Sequence, residues 1–179
     1  MSCREEQDFA EAVIDSLRFA AEGDCISGKL ALSQLSRLSD ALVSRDGWLD
    51  CKVVGFREAS EGAEKFGLHL QVAGQLWLRC QRCLAEVRFD CAINSRLLLM
   101  PLGVPSDDWP EDELETDEFD AIPASRELSL LSLIEDEVLL ALPIVPRHAE
   151  CKFPASTMET ANEESEPSPF AVLAGLKKH

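Results

Sequence analysis

Phe66-Gly67-Leu68-His69-Leu70-Gln71-Val72-Ala73-Gly74-Gln75-Leu76-Trp77-Leu78-Arg79 runs into Cys80-Gln81-Arg82-Cys83, and Ala85-Glu86-Val87-Arg88-Phe89-Asp90-Cys91-Ala92-Ile93-Asn94-Ser95-Arg96 follows. In the first stretch every even position except Gly74 is apolar, while His69, Gln71, Gln75 and Arg79 fill odd ones. A period of two is the pattern of a strand with one face buried. The pattern resumes after the cysteines, with Val87, Phe89, Cys91 and Ile93 on one side and Arg88, Asp90, Asn94 and Arg96 on the other. Two alternating strands joined by a C-x-x-C turn predict an antiparallel hairpin with Cys80 and Cys83 at its tip.

Leu32, Leu35, Leu38 and Leu42 recur at three- and four-residue spacing, which predicts a helix over 31–44. Asp46-Gly47 breaks it, Trp48 to Phe56 reads as a strand, and Ala59 to Lys65 as a turn. A second helix is predicted over 127–142, with Leu131, Ile134, Val138 and Leu142 inward and Pro143 ending it. The resulting expectation is an α+β domain over 1–154. Its antiparallel sheet has strands near 48–57, 66–79 and 85–98, packed by two to three helices. Residues 103–125 carry nine carboxylates and no Lys or Arg, and read as a mobile acidic loop. Residues 155–179 read as an acidic linker and a short C-terminal helix.

The 179 residues carry 33 acidic and 17 basic side chains, for a formal net charge of -16. That balance excludes a surface basic throughout, gripping nucleic acid by phosphate neutralisation alone. No apolar run approaches the roughly 20 residues that span a bilayer. The start of the chain lacks a secretory h-region, so the reading is cytoplasmic, with no membrane partner. Seven cysteines in a reducing compartment suggest metal or redox chemistry for a close pair.

Cys80 and Cys83 have the spacing with which a knuckle offers two thiolates to zinc, and His148 and Cys151 repeat it. Together they make a candidate zinc site of three cysteines and one histidine. Reduced thiols and a redox dithiol are the competing readings, the latter weakened because that motif normally opens a helix. Arg79, Arg82, Arg88, His69 and Trp77 on or beside the hairpin's polar face form a candidate RNA contact, guanidinium to phosphate and indole to base. The competing reading is a solvated sheet face. Phe170, Val172, Leu173 and Leu176 form an apolar stripe suited to a partner's groove or to the chain's own sheet. Glu135, Asp136 and Glu137 point about 100° apart on a helix and cannot converge on one ion, so they read as a solvated helix face. Cys25, Cys51 and Cys91 read as small core residues. No phosphate loop, G-x-S-x-G or H-E-x-x-H motif occurs.

Three segments together resemble the bacterial YceD family of large ribosomal RNA subunit accumulation proteins. They are Leu78 to Leu84, Ile134 to His148 with its Leu142-Pro143-Ile144-Val145-Pro146-Arg147 core, and Pro167 to Lys177. The resemblance implies a factor for synthesis, processing or stability of 23S rRNA, without catalytic residues or a small-molecule substrate. Its partners would be 23S rRNA or its precursor, or basic large-subunit ribosomal proteins that the acidic surface shields. The alternative from another class is an enzyme, either a metal-dependent ribonuclease or a C-x-x-C thiol oxidoreductase.

Overall fold

The computed structural model describes residues 3–5, 9–60, 63–104, 109 and 119–151. In chain order the elements are β1 (Arg4–Glu5), β2 (Val13–Ile14), α1 (Ser16–Glu22), β3 (Cys25–Ala31), β4 (Trp48–Ser60), β5 (Ala63–Arg79), β6 (Glu86–Met100), β7 (Asp120–Pro123), β8 (Leu128–Ser129) and α2 (Leu130–Ala141). Short 3-10 turns lie at Phe9–Glu11 and Leu32–Gln34. The main sheet has six strands in the order β1-β3-β4-β5-β6-β7, and β2 pairs with β8 in a small second sheet. β3 to β6 are antiparallel neighbours, whereas β1 and β7 join the two edges in parallel. The protein is therefore α+β with a mainly antiparallel sheet.

The alternation in β5 and β6 has the consequence expected of a two-residue period. Leu68, Leu70, Val72, Leu76 and Leu78 are buried on one face with Cys91 and Leu97 from β6. α1, the Phe9 turn, the leucine-rich loop after β3 and α2 cover that face, closing a core that also takes in Phe19, Leu30 and Ile134. The opposite face carries His69, Gln71, Ala73, Trp77, Arg88, Ala92 and Asn94 in cross-strand register and is largely open.

α1 is specified at both ends. The Asp15 side chain accepts a hydrogen bond from the Arg18 N–H at the N-cap, and Gly23 closes the helix at φ 64°. The helix lies so close to β4 that a Cβ on Gly55 would sit 2.3 Å from the Phe19 carbonyl oxygen, so only glycine fits there.

The helix predicted over 31–44 is not formed. Its four leucines are all buried, as a helical stripe would be, but the backbone runs through a 3-10 turn and successive tight turns. Two competitors take the chain from the helix. The Arg37 N–H donates to Glu135 Oε1 at 2.6 Å, and the Val43 N–H donates to the Trp77 carbonyl at 2.7 Å, beside a Leu42–Leu78 bridge. Turns closing every three residues present leucines at nearly the same spacing as an α-helix.

Glu135 and Glu137 are also not on a solvated face. Both are buried, Glu135 accepting from the Arg37 backbone and side chain and Glu137 from Ser95 Oγ at 2.5 Å. Asp136 is exposed and pairs with the Arg37 guanidinium at 2.5 Å. Cys25, expected as a small core residue, is instead bonded to Cys3, with 4.5 Å between their Cα atoms, fastening β1 to β3. The acidic stretch falls mostly outside the described residues, and the C-terminal linker and the stripe Phe170, Val172, Leu173 and Leu176 fall wholly outside them.

Candidate metal centre

β5 ends at Arg79, β6 begins at Glu86, and residues 80–85 form the tight connection between them. The turn is closed by backbone bonds from Leu84 N–H to the Cys80 carbonyl and from Cys80 N–H to the Ala85 carbonyl, both 2.9 Å. Leu84 takes φ 62°, and it is the one described residue other than glycine with positive φ. This backbone faces both cysteine side chains towards the segment that leaves α2.

That segment is held in place by the turn itself. The Gln81 N–H donates to the Pro146 carbonyl at 2.9 Å, and Gln81 Nε2 donates to the Ile144 carbonyl at 3.3 Å. His148 and Cys151 are thereby brought to Cys80 and Cys83 across 65 residues and more of sequence. Cys80 Sγ lies 3.8 Å from Cys151 Sγ, and Cys83 Sγ lies 3.5 Å from His148 Nδ1. All four ligand atoms fall within 4.8 Å of one another.

The group fits one tetrahedral ion. With metal–sulfur bonds near about 2.3 Å and metal–nitrogen bonds near about 2.05 Å, tetrahedral edges are about 3.8 Å between sulfurs and about 3.5 Å from sulfur to nitrogen. Both edges match the distances just given. His148 is oriented for this role, because its Nε2 lies 2.8 Å from the Glu86 carbonyl oxygen. With the proton on Nε2, Nδ1 is left as the free lone pair facing the sulfurs.

The electrostatics also favour a thiolate. Backbone N–H groups, led by that of Cys83 and joined by those of Arg82 and His148, bring Cys80 down to about 5. Cys151 is pushed up to about 11, first by burial and then by its sulfur neighbours. Three sulfurs this close cannot all ionise without a compensating cation.

The residues read as an RNA contact are less well gathered. Trp77 and Arg88 are paired in register, as are Arg79 and Glu86, and Arg82 is exposed in the turn. His69 lies near the middle of β5, ten residues and about 34 Å from Arg79 at strand rise, bound to Asn94 Oδ1 at 2.7 Å. Arg88 is engaged by Asp90 at 2.7 Å.

Between these ends lies a feature that the hairpin alone does not reveal. A groove of about 810 Å³ runs across the open face of β3 to β6, lined by Trp48, Lys29, Lys52, Gln71, Asn94 and the paired alanines 73 and 92. The signal for it was Trp48 at the head of a strand, in phase with Asp50 and Lys52 on the polar side.

No solved structure matches the chain. A Haemophilus influenzae protein named Large ribosomal RNA subunit accumulation protein YceD is 30% identical over 160 residues, spanning 84% of this chain and 81% of that protein. Residues 68–177 match the family described as Large ribosomal RNA subunit accumulation protein YceD, a span that opens in β5 and contains all four candidate metal ligands. With most of the chain aligned and the hairpin, its cysteines and the segment after α2 inside the match, the chain belongs to the YceD family.

Proposed function

We propose that this chain is a non-catalytic factor in large-subunit biogenesis. It supports synthesis, processing or stability of 23S rRNA by binding precursor rRNA or a basic ribosomal protein. The observation that carries the reading is the alignment of most of the chain with a relative named for large ribosomal RNA subunit accumulation.

The site's chemistry supports a structural metal. Zinc would be held by Cys80, Cys83, His148 and Cys151, and a site with four protein ligands leaves no position for water or substrate. Its role would be to clamp the β5–β6 turn to the segment following α2. The ribonuclease alternative is disfavoured at the carboxylates of α2, because Glu135 and Glu137 are buried and bonded to Arg37 and Ser95 and Asp136 pairs with Arg37. The oxidoreductase alternative is disfavoured by the setting of Cys80 and Cys83, which join two strands rather than opening a helix.

Affinity purification from lysate, split into untreated and ribonuclease-treated halves, tests the reading. Enrichment of 23S rRNA or large-subunit proteins in the untreated half is the expected result. Proteins that persist after ribonuclease indicate a basic protein partner, and their loss indicates contact through RNA. Recovery of neither overturns the proposal.

A further inference from the structure

We propose that the open face of β3 to β6, centred on the Trp48 groove, is a binding platform for single-stranded RNA. This rests on the biogenesis reading and assigns it a surface and a ligand. Trp48 is 60% exposed at the groove's rim, on the face of its strand opposite the buried Leu49, Cys51 and Val53. An indole so exposed beside a groove offers a flat π-surface that any unpaired base can stack on.

The floor suits a base. Ala73 and Ala92 are direct cross-strand partners, and their short side chains leave depth between longer neighbours. Gln71 and Asn94 form the next pair, with Gln71 Nε2 and His69 Nε2 both within bonding distance of Asn94 Oδ1. That leaves one amide acceptor, Gln71 Oε1, and one amide donor, Asn94 Nδ2, without partners among the described residues. An acceptor and a donor side by side match the hydrogen-bonding edge of a nucleobase. Four strands at about 4.8 Å spacing make this face about 14 Å across, wide enough for bases laid across the strands.

Charge points the same way. The chain carries 33 acidic and 17 basic side chains, yet the groove sets Lys29 and Lys52 against Glu5 and Asp50 and is balanced. Lys29 is matched by Asp50 at 3.7 Å, whereas Lys52 and Arg79 have no ion-pair partner among the described residues. These two cations sit where a phosphate backbone following Trp48 or Trp77 would pass. A basic protein segment would instead favour the acidic remainder of the surface.

The test is titration of the full chain with a fluorescein-labelled oligouridylate of about 12 nucleotides at about 50 mM salt. Duplex RNA of the same length serves as the comparison. The single strand should bind and the duplex should bind more weakly. Trp48→Ala and Ala92→Glu should each weaken binding about tenfold or more. Lys52→Glu should weaken it too, while Arg126→Glu, the same charge change away from this face, should not. All four positions are exposed or half-buried, and unchanged thermal unfolding shows that the variants fold. Equal affinity of Trp48→Ala and wild type, equal binding of the duplex, or no binding by the wild type overturns the platform. Restoration of the 23S to 16S rRNA ratio in cells lacking the chain separates the two levels. If wild type and Trp48→Ala restore it equally, the platform fails and the biogenesis reading stands, whereas failure of the wild type itself removes that reading.

Discussion

The seven cysteines divide by what surrounds each sulfur. Cys51 and Cys91 are buried in the sheet's inner face, and burial pushes the Cys51 thiol up to about 12 and moves Cys91 in the same direction. A thiol-alkylating reagent at pH 8 should therefore leave both unmodified in the folded protein and label both once it unfolds, as peptide mass mapping would show. The same shift fixes a pH dependence. Above the ordinary thiol value of 9.0 the unfolded chain loses the Cys51 proton while the folded chain keeps it until about 12. The unfolded state then binds fewer protons, so stability declines as pH rises through that window. Denaturant midpoints at pH 8 and pH 10.5 should fall in that order, and Cys51→Ala should flatten the difference. The candidate ligands behave otherwise: the purified wild-type chain should carry one zinc ion by atomic absorption, Cys80→Ser or Cys151→Ser should cut that towards zero, and Cys91→Ser should leave it unchanged. With two residues between the members of each pair, Cys80 with Cys83 and His148 with Cys151 were recognisable as ligand pairs from spacing. Their meeting depends on Gln81 bonding Pro146, a backbone contact that side-chain spacing cannot encode.

At the level of elements, strands 48–60, 63–79 and 86–100 were legible because a two-residue period over so many positions has one physical reading. The region 31–44 was not, because turns closing every three residues bury leucines at spacing close to that of a helix, and the deciding competitors, Glu135 and Trp77, lie far along the chain. α1 carried its signals in the open, from the Asp15 cap to the Arg18–Glu22 pair and Gly23, but its seven residues are too short for a clear apolar stripe. Gly55→Ala should drive a methyl group into the backbone of α1 and destabilise the fold by about 1–3 kcal/mol or more, read as a lowered Tm. Glu135→Ala should lower Tm more than Asp136→Ala, since only the former side chain is buried and holds the Arg37 backbone.

For the molecule as a whole, one sheet separates two kinds of surface. Its inner face is closed by α1, the leucine loop and α2, and its outer face stays open around the Trp48 groove. The cysteine and histidine cluster lies at one end of the longest hairpin and ties the sheet to the chain leaving α2. Among the described residues no helix is long and apolar enough to cross a membrane. If zinc occupies the cluster, a chelator strong enough to remove it should lower Tm and speed amide exchange in residues 80–85 and 144–151 more than in the centre of β5, because metal binding there adds to folding free energy. A role in 23S rRNA accumulation is tested by the 23S to 16S rRNA ratio in cells from which this chain has been removed. The ratio should fall and should return when the wild-type chain is supplied, and a ratio that stays unchanged on removal would overturn that role.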